Sequence, residues 1–136
     1  MRIFLFSVLA ALTACSASFP EAITTAPVEV ALTSKGRAEV ATKIQKVSFR
    51  AYENVGGDQI HIEERVGVVC TIENSEFSAR ISTPAFVNIP VFGPTPEHIQ
   101  ASCTFNGETL TQGSLCLRQG ESNYCTYADY SFVFGK

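Results

Sequence analysis

The sequence predicts an all-β domain. It is a small antiparallel β-sandwich or barrel of about seven to nine short strands, preceded by a signal peptide and a flexible tether. Three observations point there. Apolar and polar residues alternate through much of the chain, most clearly from Ile60 to Ile72. Turn clusters recur about every eight to twelve residues, as they do between the strands of sandwiches and barrels. No segment carries a long apolar stripe at helical spacing.

The first 14 residues read MRIFLFSVLAALTA. One basic residue, Arg2, precedes an unbroken apolar run that ends in small residues, which is the layout of a secretory signal peptide. A membrane-spanning helix needs about 20 apolar residues, and this run stops short of Ser16, Ser18 and Pro20. Residues 15–27 follow as a tether. After Cys15 they read SASFPEAITTAP, small and polar with two prolines. As a flexible coil these 12 residues would reach roughly 20 Å.

Residues 28–136 form one domain, a length that buries one real core and hardly two. VEVALT, residues 28–33, alternates as a first strand until Lys35-Gly36 breaks it. Residues 38–52 fit both periods. Val40, Ile44 and Val47 keep helical spacing, whereas Val47, Phe49 and Ala51 alternate. The β-branched and aromatic residues of KVSFRAY favour strand. Residues 54–58, NVGGD, form a turn cluster. Ile60 and Ile62 then share one face, as do Val66, Val68, Cys70 and Ile72. Glu64 falls on that apolar side, so a break or bulge is expected between Ile62 and Val66. Further strands are expected over 77–82, 86–89, 98–105 and 109–111. Asn106-Gly107 is a tight hairpin between the last two, since both residues tolerate positive φ. The chain closes on YADYSFVF, with Tyr127, Tyr130, Phe132 and Phe134 read as core.

Charge excludes some roles. The full chain carries a formal −3, and losing Arg2 with the signal peptide takes this to −4. Mild acidity argues against nucleic-acid binding, which calls for a basic stripe. It argues equally against charge-driven binding to anionic lipid. Of five cysteines, Cys70, Cys103, Cys116 and Cys125 form an even set once Cys15 is set aside. None are spaced C-x-x-C, so a zinc ribbon or redox pair is not indicated. Two structural disulfides are expected, with three pairings open.

Leu12-Thr13-Ala14-Cys15 resembles the lipobox of bacterial lipoproteins. The resemblance implies cleavage before Cys15, a diacylglycerol on its sulfur and often an acylated amine. Two or more chains hold a protein stably to a bilayer. Ser16 stands where an aspartate would resemble an inner-membrane retention signal, so the outer membrane is favoured. Residues 66–103 resemble the core of PEGA-type modules, small sandwich domains of bacterial envelope proteins. The likeness lies in Cys70 at a strand end, the Thr83-Pro84 turn before Val87 and Ile89, and Ile99, Ala101 and Cys103 after a loop. TPAF stands in place of the tetrapeptide that names the family. The resemblance implies a scaffold and a surface, and a bridge between Cys70 and Cys103 that clips neighbouring strands. Pairing by nearness in sequence adds Cys116 with Cys125.

Residues able to do chemistry are few. His61 and Glu63 would share one strand face, which polar outer-face residues do by default, so no metal site is expected. His98 lies in a proline-rich loop and reads as solvated. Glu63 and Glu64 point to opposite faces and cannot cooperate as acid and base. There is no G-x-S-x-G and no glycine-rich phosphate loop. No catalytic residue and no cofactor is expected beyond the lipid on Cys15. The loop LRQGESNY offers Arg118, Gly120, Glu121, Asn123 and Tyr124 to a partner. The expectation is a non-enzymatic, membrane-anchored lipoprotein of the bacterial envelope. It would bind another envelope protein, or help assemble or stabilise a larger structure. An inhibitor or ligand-binding module aimed at a cell-wall hydrolase is the alternative, and an envelope hydrolase ranks third.

Overall fold

A computed structural model describes residues 21–94, 96–119 and 122–135, with the backbone alone for 115–119 and 122–126. Cys15 and the signal peptide lie outside the described residues, as do Gly120 and Glu121. The fold is an all-β sandwich and not a closed barrel. One sheet holds β1 (Val28–Glu29), β7 (Ala85–Phe92), β3 (Ala41–Asn54) and β12 (Tyr130–Phe134) in that order, with β4 (Ile62–Arg65) also on β3. The other runs β2 (Ala31–Leu32), β6 (Phe77–Ser82), β5 (Val69–Glu73), β8 (Gln100–Phe105) and β9 (Glu108–Gly113). A separate hairpin pairs β10 (Leu115–Gln119) with β11 (Ser122–Thr126), and one short helix, α1 (Ser34–Ala38), follows β2. The described strands therefore exceed the seven to nine expected.

β3 is the spine of the first sheet. Residues 41–49 pair with β7 and residues 51–54 with β4, both antiparallel, along the same edge. Residues 49–53 pair with β12 along the other edge. The expected strand at 46–52 thus lies within a longer one, and strand spacing prevails over helical spacing from Ala41 on, whereas Ala38 ends α1. Val47, Phe49 and Ala51 point inward and are buried. They share one core cluster with Ile72 and Phe77 of the facing sheet, with Ile99 just before β8, and with Val87, Ile89, Phe132 and Phe134.

The strand pairings are antiparallel, as expected, except at two places. β1 runs parallel to β7, and β12 parallel to β3. The single strand expected over 28–33 is also divided. β1 joins one sheet and β2 the other, so VEVALT crosses the sandwich and covers one flank. Its end turns into α1, which Thr33 caps by accepting a hydrogen bond from the Gly36 N–H at 3.2 Å. A Cβ on Gly36 would overlap the Glu76 carbonyl, so only glycine lets the helix sit this close. The opposite flank is joined by Gln112, which donates to the Ser131 carbonyl at 2.8 Å, and by the rings of Phe105 and Phe134 at 5.6 Å.

The expected break near Glu64 comes later. β4 continues through Arg65 and the chain bends at Val66-Gly67, with Gly67 at φ +82°. Register explains Glu64. It pairs with Tyr52 on the outward side of the sheet, where its carboxylate meets the Arg50 guanidinium. Ile62, paired with Asn54, shares that outward side. Asn106 and Gly107 form the expected two-residue turn, at φ 48° and 77°.

Cys70 and Cys103 are directly opposed on β5 and β8 and form a disulfide inside the core. Replacing both by alanine is expected to cost roughly 2–4 kcal/mol of unfolding free energy, given the loop the bridge closes. Urea melts of the variant against the wild type measure this. Cys116 and Cys125 are likewise directly opposed, on β10 and β11. Non-reducing peptide mapping is expected to find them joined, and a fragment linking either to Cys70 or Cys103 would overturn that pairing.

Candidate functional site

Of the residues the sequence offers to a partner, Arg118, Asn123 and Tyr124 lie on the β10–β11 hairpin. Arg118 is paired with Asn123, and Leu117 with Tyr124. Alternation places Arg118 and Asn123 on the face that carries Cys116 and Cys125, and Tyr124 on the other. This hairpin belongs to neither large sheet. Its base is fixed at both ends. On one side Ser114 is buried, its Oγ accepting from the Ile99 N–H at 2.7 Å and its N–H donating to the Ile99 carbonyl at 3.0 Å. On the other, Tyr127 is buried and donates its hydroxyl to the Glu97 carbonyl at 2.8 Å. Gln45 donates to the Tyr127 carbonyl at 2.6 Å, and Asp129 accepts from the Ser48 N–H at 2.9 Å.

Beside that base lies a charged cluster that no spacing in the sequence announces. α1 brings Lys35, the β5–β6 turn brings Ser75 and Glu76, and the loop before β8 brings Glu97. The turn is shaped by Asn74, whose Oδ1 accepts from the Glu76 and Phe77 N–H groups at 2.9 and 3.0 Å. Ser75 Oγ donates to Glu97 at 2.6 Å, and Lys35 Nζ lies 3.4 Å from Glu97 and 3.6 Å from Glu76. Burial pushes the Glu76 carboxyl up to about 6, helped by the Glu97 and Glu39 carboxylates and opposed by Lys35. The Ser75 hydroxyl holds Glu97 below the usual carboxylate range. Burial also raises the Tyr127 hydroxyl. The cluster can exchange a proton near neutral pH, and it latches α1 to the β5–β6 turn and the loop that Tyr127 grips.

A third feature is a groove of about 370 Å³ between residues 21–25 and the rim formed by Glu64, Val66, Gly67 and residues 82–84. Arg50 ties two of its lining residues together, pairing with Glu64 and donating to the Glu21 carbonyl at 2.8 Å.

The two histidines lie apart from each other, His61 before β4 and His98 between Glu97 and Ile99. His61 is exposed with Glu63 at 3.5 Å, and His98 is exposed with its ring against Gly113. Among the described residues no three His, Cys, Asp or Glu side chains are grouped to hold a metal ion.

Glu76 fixes a pH dependence. Its folded-state value lies above the ordinary 4.5, so the folded protein holds this proton more tightly than the unfolded chain does. The stability this gives is full below about pH 4.5 and is lost as pH rises through about 6. Glu97 acts in the opposite sense, below its ordinary value. Glu76→Gln is therefore expected to gain on the wild type by on the order of 1–2 kcal/mol between pH 4.5 and 7.5. Thermal melts across that range measure it, and parallel pH curves would remove Glu76 as the titrating group. Set against family models, curated proteins and solved structures, the chain matches none of them.

Proposed function

We propose that this chain is a lipid-anchored protein of the bacterial envelope that holds a protein partner through the β10–β11 hairpin. The observation that carries the binding half is the hairpin's construction. Among the described residues its two strands pair only with each other, yet Ser114 and Tyr127, both buried, fix its base to the sandwich by hydrogen bonds. A short two-stranded ribbon held rigidly at its root presents its residues with little ordering cost on binding. Arg118 and Tyr124, of residue types that dominate binding energy at interfaces, lie on its two faces. The anchoring half rests on Leu12-Thr13-Ala14-Cys15. Anchoring then raises the hairpin's effective concentration toward other envelope proteins, without any added contact.

Mass spectrometry of the mature N-terminus is expected to find a diacylglyceryl Cys15. Cys15→Ala is expected to leave the protein uncut or released in soluble form. A mature chain retaining residues 1–14 would end the lipoprotein reading. Crosslinking the intact protein in its own membranes is expected to capture a partner that is lost when Arg118 and Tyr124 are both changed to alanine. The same partner is expected to survive His61→Ala and His98→Ala. Loss of capture on a histidine change, with folding and abundance intact, would point to chemistry centred there instead.

A further inference from the structure

The described chain begins at one end of the sandwich, and the pairing of β1 gives its direction. β1 runs parallel to β7, so residues before Val28 lie beside those before Val87 and head toward Pro84. They continue past Val66 and Gly67 to Glu21, whose carbonyl is held by Arg50 at the level of Glu64. The first described residue, Glu21, thus sits beside β4 at the level of Glu64, two residues from Ile62 in sequence.

Three aliphatic residues are exposed along this path. Ile60 is 82% exposed, Ile62 47% and Val66 80%. Val55, across the loop from Ile60, is exposed as well. The sequence pattern predicts Ile60 and Ile62 on an apolar face turned to the core, and instead they meet solvent. Exposed apolar residues gathered at one site mark an interaction surface more often than scattered ones do.

Chain length names what they meet. Only residues 16–20 separate Cys15 from Glu21. Even fully extended, the six Cα steps between them span roughly 20 Å. A lipid on Cys15 therefore keeps this end of the sandwich close to the bilayer surface, whatever path those residues take. We propose that Ile60, Ile62 and Val66 form a membrane-contact surface that seats the β3–β4 end of the domain on the lipid to which Cys15 is attached. This rests on the lipoprotein reading above and adds an orientation to it. The contact is apolar, as befits a chain of net negative charge that cannot use a basic patch.

The same strand provides a control. Ile44, also exposed at 62%, lies ten residues from Asn54 along β3, roughly 33 Å away, toward the end of the strand opposite the β3–β4 loop.

The chain contains no tryptophan, so a single introduced one reports its own surroundings. The full-length protein would be purified in lipidated form with Ile60→Trp, Val66→Trp or Ile44→Trp. Each would be reconstituted in phosphatidylethanolamine–phosphatidylglycerol vesicles, with and without acyl-brominated lipid. Emission from the Ile60→Trp and Val66→Trp proteins is expected to shift to the blue on reconstitution. Bromolipid is expected to quench both at least twofold more than the Ile44→Trp protein, and two reporting positions protect against one misfolded variant. Equal quenching in all three variants would overturn the orientation. So would a blue shift of Ile60→Trp and Val66→Trp without bromolipid quenching, since that means a second copy or another part of the protein covers the patch. The mass of the N-terminal peptide from the same samples separates the two readings. Absence of the acyl group defeats the lipoprotein reading itself, whereas its presence beside unquenched emission from Ile60→Trp and Val66→Trp defeats the seating alone.

Discussion

The alternation of β3 is the constraint on which the rest of the structure depends. Val47, Phe49 and Ala51 must all stay on the dry side, and that fixes which way every other residue of the strand faces. A slip of one residue would turn Phe49 to solvent and bring Arg50 into the core. Because β3 has 14 residues, it pairs with β7, β4 and β12 at different points along its length. The register of three strands is inherited from one. The outward placement of Arg50 and Glu64 follows from the same alternation, and so does the bond from Arg50 to Glu21 that guides the chain toward its N-terminus.

The facing sheet is held more locally. β5 and β6 are joined by a turn that Asn74 shapes with two hydrogen bonds, and β8 and β9 by Asn106-Gly107. The Cys70–Cys103 bridge crosses from β5 to β8, covalently fastening the middle of the sheet where the core is driest. Thr83 then ties the two sheets at one end. It donates its hydroxyl to the Arg65 carbonyl and its N–H to the Val68 carbonyl, and its own carbonyl accepts from the Gly67 N–H. The bend at Val66-Gly67 is thereby fixed in place, and with it the rim of the groove.

What can be read from the sequence follows the reach of each signal. β6 spans the expected 77–82, β12 carries the alternation of Tyr130, Phe132 and Phe134, and the Asn106-Gly107 turn needs only two residues to specify it. The pairing of Cys70 with Cys103 holds because the bridge joins neighbouring strands, which nearness in sequence captures. Parallel partners are not legible, because β1 and β7 meet across more than fifty residues and nothing in either strand names the other. Alternation also misleads at Ile60 and Ile62. A period of two tells which residues share a face but not which face is covered, and β4 puts that side toward solvent. The cluster of Lys35, Ser75, Glu76 and Glu97 draws on three distant segments, so no local spacing could reveal it.

The hairpin root and the β3–β4 end lie at opposite ends of β3. Tyr127, at the root of the hairpin, is bonded to Gln45 near the start of the strand, whereas Arg50 and the β4 pairing mark its far end. From Gln45 to Asn54 the strand rises roughly 30 Å. With the β3–β4 end seated on lipid, the hairpin root is lifted by most of the length of the domain. A tether that left the domain beside the hairpin would instead hold the binding residues against the lipid surface and screen them from a partner. The charged cluster belongs to the raised end, where Tyr127 donates to the Glu97 carbonyl and Glu97 is in turn held by Ser75 and Lys35. Glu76 sits in that same cluster with its carboxyl raised by burial, so its protonation bears on the fold around the hairpin's root.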